Sequence, residues 1–214
     1  MEPPPAADED VSPHDRAPSG AGLAGVILCG GRSSRMGVDK ATIRFEGMTL
    51  LERAVARLDE VCDPVLIAPG GTSAKMPGRQ AIADALPNAG PLGGLVAALR
   101  YSPHRLLAVV AVDLPWVDPG LLRMLAGLIA DRDVALCETR GGVEPLHAVY
   151  STSLLAAAET ALAGSDRSLR RLIDRENALR VPEREWSGAG FSERFARNIN
   201  TPEDLAEISR QARR

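Results

Sequence analysis

The chain predicts a layered α/β domain built on a mostly parallel sheet. Three observations carry that expectation. Apolar runs alternate with amphipathic stretches from Leu23 onward. The run Leu106 to Val112 is aliphatic throughout, as a strand covered on both faces must be. The composition is that of one globular unit: 214 residues, 45% hydrophobic and 25% charged, exclude a wholly disordered, collagen-like or coiled-coil chain.

The elements follow in order. Met1 to Ala21, rich in proline, acid and small residues, is too poor in apolar surface to offset the entropy of ordering it, so it reads as a disordered tail before a single domain over 22–214. Leu23 to Cys29 is the first strand, followed by a Gly/Arg/Ser loop and a short extended piece, Ala41 to Phe45. Thr49 opens a helix with Leu50, Leu51, Ala54, Val55 and Leu58 on one face. Strands are expected at Pro64 to Ala68 and Arg79 to Ala83. A helix with proline in its first turn runs from Pro91 to Arg100, and another follows Asp118 and Pro119 after the aliphatic strand. Strands at Val134 to Glu138 and Pro145 to Tyr150 precede helices at Ser151 to Ala163 and Ser168 to Asn177. A short strand, Phe195 to Ile199, and a helix from Thr201 complete the domain.

A formal net charge of −3 argues against nucleic acid or a polybasic membrane surface as partner, so any anion site must be local. Cys29, Cys62 and Cys137 are few and odd in number, and none forms a C-x-x-C pair. That points to a reducing compartment, and with no apolar run of membrane length and no basic leader, the expectation is a cytoplasmic protein without membrane contact.

Two literal motif matches mislead. Gly20 to Gly25 spells G-x-G-x-x-G but precedes the first strand, whereas a dinucleotide fingerprint must follow one. The loop from Gly31 to Lys40 has the wrong spacing for a Walker A, and no Ser or Thr follows the lysine. The segment GVILCGGRSSRMGVDKA nonetheless sets two glycines, two arginines and a lysine at the carboxyl end of a strand, where open α/β sheets bind ligands. Gly30 and Gly31 let backbone N–H groups approach phosphate oxygens, and Arg35 and Lys40 supply charge to a triphosphate; the other reading is a solvated basic turn. Asp39 is suited to orient Lys40. Cys29 reads as a small buried residue rather than a nucleophile.

This segment resembles the L-[AC]-G-G-x-S-x-R-M-G-x-D-K signature of the molybdenum cofactor guanylyltransferases, within the nucleotidyltransferase superfamily. DALPNAGPLGGL from Asp84, VVAVDLPWV around Asp113 and RNINTPEDL near the C-terminus fall in the same order, so the resemblance spans Leu23 to Ser209. It implies a three-layer α/β/α fold with a Rossmann-like central sheet, nucleotide-diphospho-sugar transferase-like. It also implies transfer of GMP from GTP to the terminal phosphate of molybdopterin, bearing molybdenum, with pyrophosphate released.

The same resemblance distributes roles. Leu28, Cys29, Gly30, Gly31, Arg35, Lys40, Asp84, Gly90, Pro91 and Asp113 line the nucleotide site, and Arg35, Lys40 and Asp113 act in catalysis. Asp113, at the end of the aliphatic strand, binds Mg²⁺, with Asn200 as a second ligand. His147, Tyr150, Asn198 and Asn200 are candidates for the acceptor side, the two asparagines alternating on a strand so that both face one way. Structural readings stand beside these: a turn residue for Asp84, tight helix–sheet packing for the GPLGG glycines, a turn-forming pair for the asparagines and a core histidine for His147. Arg167, Arg170 and Arg171 read as a solvated helix face or a hold on an acceptor phosphate. The family places an asparagine where this chain has Ala68. A cytidylyltransferase on the same pterin, a guanylyltransferase on another small phosphorylated acceptor, and a noncatalytic nucleotide- or pterin-binding accessory protein are the competing functions. Transient contact with cofactor-delivery or molybdoenzyme proteins goes with the first reading.

Overall fold

The computed structural model describes residues 22–30 and 38–212. The proposed tail, Gly31 and Arg35 lie outside them. The strands are β1 (Leu23–Leu28), β2 (Arg44–Phe45), β3 (Met48–Thr49), β4 (Val65–Ala68), β5 (Leu106–Ala111), β6 (Val134–Thr139), β7 (Gly142–Val143), β8 (His147–Ser151) and β9 (Ala178–Val181). The α-helices are α1 (Leu50–Leu58), α2 (Pro91–Tyr101), α3 (Pro119–Leu128), α4 (Leu155–Ala163), α5 (Leu169–Arg175), α6 (Glu183–Gly188) and α7 (Pro202–Ala212).

Among the described residues the main sheet runs β4-β1-β5-β8-β6-β7, with β9 beside β6. β1 pairs in parallel with both β4 and β5, and β6 with β9, whereas β8 is antiparallel to β5 and β6, and β7 to β6. Hence β4, β1, β5, β6 and β9 share one direction, and the sheet is mostly parallel. Period-two alternation sends Ile27, Ala108 and Val110 into a core shared with α1, α3, α6 and α7. Val26, Leu28, Leu107 and Val109 enter a second core beneath α2, α4 and α5. Three layers result, and a strand covered on both sides explains the unbroken aliphatic run of β5.

Local chemistry sets the helix starts. Thr49 and Glu52 form a reciprocal capping box on α1, and the Asp118 carboxylate accepts from Leu121 N–H ahead of Pro119. Before α7, Thr201 and Asp204 exchange backbone hydrogen bonds in the same way.

Several expectations are corrected. Lys40–Thr42 forms a 3-10 turn rather than extended chain, because the Asp39 side chain caps it by accepting from Ala41 N–H. Arg79 to Ala83 is not a strand. It contributes one bridge, Ala81 to Ile67, with hydrogen bonds from Ile67 to Gln80 and from Ile82 to Ile67, and the chain then leaves the sheet edge. Phe195 to Ile199 is not a strand either: Glu193–Ala196 is a 3-10 turn capped by Ser192, and the buried Phe195 and Ile199 both pack into the core from irregular backbone. β3, β7, β9 and α6 have no counterpart in the sequence reading. No described helix is long and apolar enough to cross a membrane.

Candidate active site

The carboxyl ends of β1, β4 and β5 converge on one edge of the sheet, where their loops meet. Leu28 and Cys29 are tied into that edge. The Leu28 carbonyl accepts from Val112 N–H, and Cys29 N–H donates to the Ala68 carbonyl. Burial, with a smaller push from the charge of Asp39, raises the Cys29 thiol to about 12, which leaves it protonated and inert.

Beyond Cys29, Gly30 lies directly against Gly70. A Cβ on Gly30 would stand 2.7 Å from Gly70 Cα, and Gly70 itself adopts a φ of +60°. The contact locks the loop after β1 to the loop after β4. Next to it opens a cleft of about 550 Å³ lined by Gly30, Gly70, Thr72, Asp84, Asn88 and Gly90, among others. Gly90, with a φ of +66° and open space where a Cβ would stand, lines the cleft and ends the loop that leads into Pro91 and α2, its carbonyl accepting from Gly93 N–H. The Asp84 carboxyl faces the same space. Burial raises its pKa, and its Oδ1 is buried with no hydrogen-bond partner. Ala68 is buried with its Cβ against α2 at Gly94, so the strand-end position offers no polar side chain to the cleft.

On the other side of Gly30 stands the charged centre. Lys40 Nζ donates to Asp113 Oδ2 at 2.7 Å and to Asn200 Oδ1 at 2.8 Å. Three segments far apart in sequence are thus held at one point: the capped turn at Lys40, the end of β5, and the chain before α7. The Asp113 carbonyl fastens the last of these by accepting from Ile199 N–H. Asp113 Oδ1 is buried and without a partner.

The donor set suits a hard divalent ion. One carboxylate and one amide oxygen face the same point, and no described cluster of three or more His, Cys, Asp or Glu could hold a metal unaided. An ion bound by Asp113 and Asn200 would therefore complete its shell with phosphate oxygens and water, as magnesium does.

Other expected site residues have different duties. Asn200 Oδ1 accepts from Lys40, and the segment Asn198–Asn200 is irregular chain rather than the expected strand. His147 is fully buried and accepts from Asp118 N–H through Nε2 at 3.0 Å, so its imidazole braces the turn after Asp113 rather than meeting a ligand. Burial pushes its pKa down to about 4, against the opposing pull of the Asp118 charge. Tyr150 is equally buried, its hydroxyl donating to the Pro145 carbonyl. Arg171 pairs with Asp166, and Arg167 donates to the Leu162 carbonyl. The sequence reading does not single out Gly70, Gly71, Thr72 and Asn88, although a Pro-Gly-Gly run after a strand is a usable turn signal.

Comparison with known proteins gives the family and the fold. The family described as the MobA-like NTP transferase domain matches residues 25–181. A Chloroflexus aggregans protein named "probable molybdenum cofactor guanylyltransferase" is 34% identical over 191 residues, 86% of this chain and 91% of its own. Molybdopterin-guanine dinucleotide biosynthesis protein A from Archaeoglobus fulgidus has the same fold, with a TM-score of 0.75 at 24% identity over 89% of this chain and 98% of that one. A Mycobacterium tuberculosis protein solved in complex with manganese also shares it, at a TM-score of 0.64 and 19% identity over 89% and 99% of the two chains. Similarity that runs through the sheet, the glycine loop and the Asp113 strand makes this chain a member of the MobA-like NTP transferase domain family.

Proposed function

We propose that the protein transfers GMP from GTP to the terminal phosphate of molybdopterin, bearing molybdenum, and releases pyrophosphate. The observation that carries this reading is Lys40 bridging Asp113 and Asn200 beside a glycine-walled cleft, in a chain whose curated relatives are named guanylyltransferases of this cofactor. An oxygen of the acceptor phosphate attacks the α-phosphorus, the bond to the β-phosphate oxygen breaks, and the electron pair leaves with pyrophosphate. The acceptor is already anionic at neutral pH, so positioning and charge neutralisation are the main requirements.

In this reading the cleft takes the nucleoside, and the Asp84 carboxylate accepts from the N–H edge of the base. Gly30 and Gly31 offer backbone N–H groups to the triphosphate. Lys40 turns from Asp113 toward the β- and γ-phosphates and, with Arg35, stabilises the departing charge. Asp113 and Asn200 would hold Mg²⁺, which supplies neutralisation of the phosphates and polarisation of the α-phosphoryl oxygen.

The test is transfer of label from α-labelled GTP and CTP, in parallel, onto molybdenum-loaded molybdopterin, with Asp113→Ala as the blank. Transfer from GTP alone supports the proposal. Transfer from CTP moves the protein to the cytidylyl reaction, and none from either overturns the acceptor or the catalysis.

A further inference from the structure

Lys40 Nζ stands on the same two oxygens that would hold a divalent ion. It donates to Asp113 Oδ2 at 2.7 Å and to Asn200 Oδ1 at 2.8 Å. The ion pair is largely withdrawn from solvent, with 18% of the lysine side chain and 16% of the aspartate side chain exposed. Among the described residues the Asp113 carboxylate has no other partner, because its Oδ1 is buried and unpaired. An ammonium placed there does for the carboxylate what a metal would do: it neutralises the charge and draws a carboxylate oxygen and an amide oxygen to a common centre. The two cations exclude each other, since they need the same oxygens and repel at that range.

The oxygens do not depend on Lys40 for their places. Asp113 follows β5, its carbonyl accepting from Ile199 N–H, and Leu114 N–H donates to the Ala111 carbonyl. Asn200 N–H donates to Asp204 Oδ2 at the start of α7. Lys40 hangs from a separate turn, capped by Asp39 and tied by Thr42 Oγ1 to the Asp39 carbonyl. Rotation of one flexible side chain therefore clears the centre while the backbone around it stays fixed. Leaving two hydrogen bonds, one of them to a carboxylate, is unfavourable unless another anion takes the ammonium. The phosphates of GTP are such an anion, and a bare metal ion brings none.

We infer that Lys40 is a placeholder for the divalent ion: it bars Asp113 and Asn200 to the ion until a nucleotide draws the ammonium away, so ion and nucleotide bind as a coupled pair. The inference rests on the metal site of the proposed function. Coupling of this kind is reciprocal, on the order of ten- to a hundred-fold in either affinity.

Mn²⁺ is the probe, because it takes the same oxygen ligands and its electron paramagnetic resonance signal reports the free ion. In the full chain without nucleotide, Lys40→Met should bind Mn²⁺ about ten-fold more tightly than the wild type. Lys75, exposed on the loop after β4, is the other lysine of the chain, so Lys75→Met removes the same charge elsewhere and should match the wild type. Adding Asp113→Ala to Lys40→Met should abolish the gain. An unchanged affinity in Lys40→Met overturns the inference, and so does an equal gain in both lysine variants, which would be a general effect of charge. The wild type supplies a second readout that decides the matter if Lys40→Met does not fold. Trinitrobenzenesulfonate at one fixed pH, with the modified peptides measured by mass spectrometry, should label Lys40 more slowly than Lys75, and saturating Mn²⁺ should speed Lys40 several-fold while Lys75 holds. An unaltered Lys40 rate overturns the inference. If Mn²⁺ binds at Asp113 in none of these proteins, the placeholder and the metal assignment fall together, whereas the labelled-GTP assay tests the reaction separately.

Discussion

His147 ties the stability of the fold to pH in a way that can be calculated. Its Nε2 accepts from Asp118 N–H, so the folded protein needs the imidazole neutral, and burial holds its pKa near 4 rather than the ordinary 6.5. Between those two values the unfolded chain binds a proton that the folded chain refuses. The contribution is therefore complete above pH 6.5 and is lost as the pH falls through the window toward 4. The whole interval is worth about 3 kcal/mol, of which about 2 kcal/mol disappears between pH 7 and pH 5. His147→Gln keeps an oxygen near the Nε2 position and does not titrate. Urea unfolding of both proteins at pH 7 and pH 5, followed by far-UV circular dichroism, isolates the histidine, because the carboxylates common to both cancel in the difference. The wild type should lose about 2 kcal/mol more than the variant. Equal losses would refute the assignment of His147 as a buried neutral acceptor.

Other expectations follow from the same geometry. Gly30→Ala forces a Cβ to 2.7 Å from Gly70 Cα, so the two loops must part; a cost of about 1–3 kcal/mol should lower Tm by several degrees, and an unchanged Tm would show that the loops are not locked. Asp113→Ala and Lys40→Ala should keep the circular dichroism of the wild type yet lower turnover about a hundredfold or more. Near-normal turnover would remove Asp113 from the metal site, or Lys40 from the phosphate site. Thr49→Ala breaks the capping box on α1 and should cost about 1 kcal/mol in urea unfolding, with no change in midpoint counting against the cap.

Elements defined by their own residues were legible in the sequence. β5 announced itself through an unbroken aliphatic run, α1 and α3 through Thr49 and Asp118, and Asp113 through its position at a strand end. Elements that depend on distant pairing were not. β9 is four residues with an exposed Arg180, and it becomes a strand because β6 lies alongside. At Arg79–Ala83 the reverse holds: strand-like residues find one bridge and no continuing partner. The apolar pair Phe195 and Ile199 fits more than one local structure, and the Ser192 cap decides for a turn. That turn leaves Asn200 on irregular chain, where it meets Lys40, a pairing no spacing rule supplies. The stacking of the Arg194 guanidinium over Trp116 was hidden for a similar reason, since the two are adjacent only after folding.

The hydrogen bond from Lys40 to Asn200 spans 160 positions of chain. A ribosome makes the lysine long before its partner, so a growing polypeptide can complete β1, β4 and β5 while the proposed catalytic centre is still open. Competence should arrive late and abruptly, when Ile199 docks on the Asp113 carbonyl, and reactive nucleotide chemistry is withheld from half-made chains. Stalled nascent chains arrested so that residue 196 or residue 212 is the last to clear the ribosome tunnel would reveal this timing. The shorter should be inert and the longer active, and equal activity in the two would show that the lysine does not need its distant partner.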